Sequence, residues 1–164
     1  MENDTGMKSL LIERARVEDA ATILDLQKLA YLSEVEIYNN ASIPPLTQTL
    51  DGIRAEFDNQ IFLKALIDER IIGSVRAYQT EETCHIGRLV VHPDFQNQGI
   101  GSRLMKYIED VFENAGRFEL FTGDNSERNL YLYHKLGYRE FRRKKFQENL
   151  VLVFLEKDNT LASK

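Results

Sequence analysis

Apolar residues fall into two spacings along the chain, and the alternation between them lays out the elements. Over residues 17–35, Ala20, Ile23, Leu24, Leu26, Leu29, Ala30 and Leu32 recur at roughly helical intervals. A second helical run covers 98–115, with Ile100, Leu104, Met105, Ile108, Val111 and Phe112 on one face. Shorter runs rich in Ile, Val, Leu and Phe read as strands at 7–14, 61–67, 71–80, 84–92, 118–123, 139–146 and 149–157. Helical segments are also expected at 47–57 and 126–136, the latter closed by Gly137 as its C′ residue.

Punctuation supports this parsing. Asn39-Asn40 suits a turn, and Pro44-Pro45 cannot continue a helical ladder. Asp68-Glu69-Arg70 is the right length for a hairpin turn. The order is β-α-α-β-β-β-α-β-α-β-β, which predicts an α/β (α+β) domain: a mixed, mostly antiparallel sheet of about seven strands with helices on both faces. Residues 1–164 read as one domain, with 1–6 and 158–164 as loose ends.

Composition narrows the chemistry. The chain is 43% hydrophobic and 29% charged, an ordinary soluble balance. A single cysteine, Cys84, excludes an internal disulfide framework and any CxxC metal site. His85, His92 and His134 show no metal-ligand spacing, so no metal is expected. No apolar run is long enough to span a membrane, and the polar start lacks the features of a signal peptide; a cytoplasmic setting is expected. A net charge of −5 argues against nucleic-acid binding and leans toward a cationic or amine-bearing partner. The basic run 139–146 reads as a solvated hairpin, and the wholly apolar 150–155 as a central strand or an edge hidden in a dimer.

The segment "HPDFQNQGIGSRLM", 92–105, carries the most specific signal. A strand ends at Leu89-Val90-Val91, Pro93 stops the ladder, and the loop from Gln96 delivers the chain into a helix N-terminus. The first N–H groups of a helix lack intrahelical acceptors and sit at its positive end. Glycine at 99 and 101 leaves room for an anion to reach them. A Walker loop needs Gly-Lys-Ser/Thr where the chain has Gly101-Ser102-Arg103, and a dinucleotide loop needs glycine where it has Leu104. The pattern present is Q-x-x-G-x-G after an L-x-V strand.

With "NSERNLYLYHKLGY", 125–138, one strand further on, this pattern resembles the GCN5-related N-acetyltransferase (GNAT) superfamily over about residues 61–157. The resemblance implies an acyl-CoA N-acyltransferase fold whose sheet splays into a V after Val91. It implies acetyl-CoA as acyl donor, with pyrophosphate held by Gln96, Asn97, Gln98, Gly99, Ile100, Gly101 and Ser102. Backbone groups of Leu89, Val90 and Val91 would meet the pantetheine arm. Tyr133 matches the tyrosine that protonates the departing thiolate. Ser126 stands where the family often has asparagine, with Asn125 and Asn129 nearby; Asn129 lies four residues before Tyr133 on the same helical face.

The base that deprotonates the amine stays open. Counted back from Gln96, His85 falls where some members carry a glutamate, and strand alternation would put His85, Gly87, Leu89 and Val91 on one face. Glu81 or Glu82 through a water, or water alone, are the alternatives. Cys84 is read as structural, because adjacent strand residues point to opposite faces. The acceptor pocket is expected from residues 31–46 and the hairpin at 145–149, with Glu34 and Glu36 available to a cation. The expected function is acetyl transfer to a primary amine of a small molecule or peptide, by a monomer or homodimer. A non-catalytic acyl-CoA sensor of the same fold is the alternative.

Overall fold

The computed structural model describes residues 9–38 and 43–159, with the backbone alone at Glu34 and Tyr38. Met7 and Lys8 of the expected first strand and the Asn39-Asn40 turn lie outside the described residues. Seven strands form one sheet in the order β1-β2-β3-β4-β5-β7-β6. They are β1 (Leu11–Arg14), β2 (Ile61–Ile67), β3 (Arg70–Thr80), β4 (Thr83–Val91), β5 (Arg117–Gly123), β6 (Arg139–Gln147) and β7 (Leu150–Asp158). All neighbours run antiparallel except β4 and β5. The order agrees with the expected one except that four helices, not two, separate β1 from β2.

Helices cover both faces. On one side α5 (Ile100–Val111) buries Ile100, Leu104, Met105 and Ile108 against Val75, Ala77, Cys84 and Ile86 of β3 and β4. α6 (Glu127–Lys135) closes the same core through Tyr133. On the other side α1 (Ala20–Ala30) and α4 (Leu50–Glu56) enclose Ile23, Leu24, Ile53 and Phe62. The periodic run near 17–35 divides at Tyr31, where α1 ends and α2 (Leu32–Tyr38) begins. Pro44, expected to break a helix, instead opens α3 (Pro44–Thr47): at the first helical position its missing N–H is no loss.

Local chemistry explains the joints. The β2–β3 turn holds Asp68 and Glu69 at φ 51° and 69°, the left-handed pair that a two-residue hairpin requires. α6 ends as the sequence predicts: Gly137 takes φ 99°, its N–H donates to the His134 carbonyl at 3.0 Å, and the Tyr138 N–H donates to the Tyr133 carbonyl at 2.9 Å. That closing motif fixes the helix end that carries Tyr133. The apolar strand 150–155 lies within β7, between β5 and β6, and the basic run forms the exposed edge strand β6. The loose end expected from 158 onward begins too early. Asp158 completes β7, and the buried Asn159 amide donates to the Glu113 and Ala115 carbonyls at 2.8 Å each.

A polar network lies beneath α1, α3 and α4. The Arg76 guanidinium is 3% exposed; its Nε lies 2.8 Å from Glu56 Oε1, and it donates to the Gln27 and Gln48 side chains at 3.0 Å each. Gln27 in turn donates to the Pro45 carbonyl at 2.8 Å, which ties α3 to α1. Burial first, and then the neighbouring Arg88 charge, pull the Arg76 pKa down to about 10 against the pull of Glu56.

Candidate active site

The parallel pairing of β4 with β5 covers only Thr83↔Arg117, Cys84↔Phe118 and His85↔Glu119. Beyond His85 the two strands part. The split therefore opens six residues earlier than the expected point at Val91, and its cause is local. On β3, Ser74 pairs with Val90 while Arg76 pairs with Gly87, so three steps along β4 face two along β3. The extra residue forms a bulge, and Arg88 sits in it at φ 52°. The bulge turns β4 away from β5 and leaves the backbone of both strands unpaired along the split.

It also exchanges the strand's faces. Before it, Cys84 and Ile86 point toward α5; after it, Leu89 and Val91 do. His85 and Gly87 thus lie on the face opposite Leu89 and Val91, and the expectation of one shared face fails.

A cleft of about 400 Å³ lies at the end of β4, between the start of α5 and α6. Leu89, Val90 and Val91 supply its strand wall, Gln96 and Asn97 its loop, residues 99–102 its floor, and Asn129 with Leu132 its far side. Of the expected contacts Gln98 alone does not line it. Asn97 (φ 64°) and Gly99 (φ 83°) are left-handed, which turns the chain sharply into α5. No side chain caps this helix, and its first intrahelical bond runs from the Arg103 N–H to the Gly99 carbonyl at 3.1 Å. The N–H groups ahead of it are unclaimed by turn or cap bonds, an arrangement that can receive an anion.

The two glycines serve differently. A Cβ on Gly99 would meet nothing within 4 Å, so that position is glycine for its φ. A Cβ on Gly101 would touch Leu132, Leu89 and Val91 at 3.5–3.9 Å, all three of them cleft residues, so it would fill the cleft floor.

A second cavity, of about 180 Å³, continues on the other side. It shares Tyr31, Leu89 and Asn129 with the first, and these three residues mark the junction. Tyr133, 6% exposed, lines the second cavity, and Asn129 donates to Thr122 Oγ1 at 3.2 Å. Ile43, Pro44 and Pro45 enter from the expected segment 31–46, and Phe146 and Leu150 from the hairpin. The β5 and β7 residues Phe121, Thr122 and Leu152 complete it, and the sequence reading had not named them. Strand registers brought them there, and no local motif marks a register.

The residues weighed as bases are elsewhere. His85 lines neither cavity: its Nε2 lies 2.9 Å from Thr80 Oγ1 and its ring stacks on Tyr78 at 4.9 Å. Glu81 and Glu82 form the β3–β4 turn, where the Glu82 carbonyl accepts from the Gly116 and Arg117 N–H groups. Glu36 lines neither cavity. Cys84 is fully buried against α5, and burial, with Glu109 nearby, pushes its thiol up to about 12. Two cations at the cleft had gone unremarked. Arg128 donates to Gln96 Oε1, and Lys135 lines the cleft two turns further along the same face of α6. Arg103 and Lys106 do not reach it.

The comparisons with known proteins agree with this arrangement. The profile of the Acetyltransferase (GNAT) family matches residues 23–138. UPF0157 protein YqkA of Bacillus subtilis (strain 168) is 31% identical over 133 residues, which are 81% of this chain and 38% of that protein. The chain thus spans well under half of that relative's length. YncA of Salmonella typhimurium, solved with its cofactor acetyl-CoA, superposes with a TM-score of 0.74 at 19% identity, over 93% of this chain and 95% of that one. An N-acetyltransferase from Staphylococcus aureus Mu50 gives 0.75 at 18% identity, over 93% and 100%. At such identities these likenesses speak for the fold, an open sheet of the acyl-CoA N-acyltransferase type. With the profile covering both the phosphate loop and the helix that bears Tyr133, the chain belongs to the acetyltransferase (GNAT) family.

Proposed function

We propose that this chain transfers the acetyl group of acetyl-CoA to the primary amine of a small molecule or peptide, by direct attack. One observation carries the reading: two cavities meet at Tyr31, Leu89 and Asn129, the first leading to the bare N-terminus of α5 and the second to an apolar chamber. A donor with a pyrophosphate handle fits the first, and an acceptor fits the second.

Residues 97–102 hold the pyrophosphate through backbone N–H groups, with Arg128 and Lys135 adding positive charge. Leu89, Val90 and Val91 offer the unpaired edge of β4 to the pantetheine amides, as a strand would. The thioester carbonyl comes to the junction, where a β4 N–H stabilises the tetrahedral oxyanion. The amine nitrogen bonds to the carbonyl carbon and the carbon–sulfur bond breaks. Tyr133 gives its phenolic proton to the departing sulfur and regains one from solvent. The nitrogen's proton leaves to water, since His85, Glu81 and Glu82 all lie outside both cavities. Water as the base is what remains of the three alternatives.

Acetyl-CoA titration by calorimetry, paired with an amine screen for free-thiol release, tests this. Wild type should bind acetyl-CoA and release thiol with at least one amine class. Tyr133→Phe should keep the binding and lower kcat by about 10- to 100-fold. Binding without thiol release from any amine would leave an acyl-CoA sensor instead.

A further inference from the structure

The acceptor cavity has a charge signature. Its described lining holds no aspartate or glutamate, and one ionised side chain, Arg88. The rest is apolar or neutral: Ile43, Pro45, Phe121, Phe146 and Leu152 among others. The net acidity of the chain had suggested a cationic acceptor, yet that charge lies elsewhere. A polycation in this cavity would meet a guanidinium.

Among the described residues Arg88 has no counterion. Its Nε is buried and makes no hydrogen bond, and no described carboxylate forms an ion pair with it. The nearby Glu56 is engaged by Arg76 at 2.8 Å and by the Gln48 amide at 2.8 Å. The Arg88 charge acts on Arg76, and of the two guanidiniums only Arg76 has a described carboxylate partner. A buried donor without a partner is costly, and a bulge residue held at φ 52° adds backbone strain. Both are maintained at the wall of a cavity that Arg88 lines. Gly87, the preceding residue, also lines the cavity, and a Cβ there would meet nothing within 4 Å, so the space beside Arg88 is open.

We propose that Arg88 binds the carboxylate of the acceptor, so that the substrate is an amino-acid-like small molecule carrying an amine, a carboxylate and an apolar side group. This rests on the transfer reading above and names its acceptor class. A guanidinium presents paired N–H donors matched to the two oxygens of a carboxylate. Arg88 directly precedes Leu89, one of the three junction residues, so a carboxylate on it would set a nearby amine toward the thioester. Phe121, Phe146 and Leu152 would receive the side group.

Matched pairs test it: L-phenylalanine against phenethylamine and L-leucine against 3-methylbutylamine, each differing by the carboxylate, with spermidine as the polycation. Wild type should favour the amino acid in kcat/KM by about 100-fold. Arg88→Met should bring that ratio near unity, and Arg88→Lys should fall between. Equal rates on phenethylamine or spermidine, or an unchanged ratio in Arg88→Met, would overturn the assignment while leaving acetyl transfer intact. Calorimetry on the CoA-loaded protein gives an independent reading. N-acetyl-L-phenylalanine should bind and N-acetylphenethylamine should not, with the difference lost in Arg88→Met. If that difference appears and no amine releases thiol, the carboxylate site stands and the transfer reading falls.

Discussion

Gln96 donates from its side-chain amide to the carbonyl of Val91 at 3.1 Å, pinning the phosphate loop to the end of the strand that precedes it. Arg128 holds the other end of the same amide. One glutamine thus joins β4, the loop and α6. Gln96→Leu keeps the bulk and removes both bonds. Acetyl-CoA affinity should fall by about 10-fold, the weight of one or two polar bonds, with little change in Tm. An unchanged Kd by calorimetry would show that the loop holds its shape without this clasp.

The contrast between Gly99 and Gly101 predicts different defects. Gly99→Ala meets no clash, and its penalty is a left-handed alanine, about 1 kcal/mol of stability. Gly101→Val crowds Leu89, Val91 and Leu132 and occupies the cleft floor. It should weaken acetyl-CoA binding by more than 10-fold in a protein that still folds. Circular dichroism melts and calorimetry on the two variants separate strain from blockade.

His85 should be dispensable for catalysis. It sits on the far face from Leu89 and Val91, against Thr80 and Tyr78. His85→Gln should leave the pH dependence of kcat/KM in shape and its plateau within about two-fold. Loss of the acidic limb of that profile in His85→Gln would restore it as the base.

Glu56 is the carboxylate that makes the buried Arg76 tolerable. Glu56→Ala leaves a guanidinium 3% exposed without its ion pair. The expected loss is about 3 kcal/mol, or roughly 10 °C in Tm for a domain of this size. Replacing an exposed carboxylate such as Glu148 provides the comparison, with a shift expected within about 0.5 kcal/mol.

Cys84 should be silent in the native protein. Burial raises its thiol to about 12, so native protein should resist iodoacetamide and label only on unfolding. The sign of the pH effect follows. Between the ordinary thiol value of 9.0 and about 12 the unfolded chain has lost its thiol proton and the folded one has kept it. The folded state then binds more protons, so stability falls as pH rises through that window. In urea titrations at pH 8 and pH 10.5, Cys84→Ala should lose less stability than wild type. Turnover in Cys84→Ala also excludes an acetyl-cysteine intermediate.

The donor side of the site was legible in the sequence because it is local. A loop, two glycines and a helix N-terminus lie within about a dozen consecutive residues, and helix geometry alone aims the N–H groups of 100–102. Tyr133 was named through the family resemblance of residues 125–138, and the structure places it on α6 in the wall of the second cavity. The acceptor side was not local. Tyr31 and Pro45 fall within the expected segment 31–46, whereas Phe121 and Leu152 come from β5 and β7, which sheet register brings beside it.

Periodicity and turn chemistry by themselves determined the order of strands and helices, which faces are apolar and where an anion could bind. Tertiary structure decided where the sheet opens and what the opening shows. One extra residue at Arg88 inverts the faces of β4, sending His85 away from the cleft and bringing Leu89 and Val91 toward α5. A period-two pattern cannot register that inversion, because the bulge is set by how β4 pairs with β3 and is stabilised by contacts distant in the chain. For the same reason the sequence marked the loop at 96–102, while the place of Arg88 in the wall of the second cavity emerged only once the strands were paired.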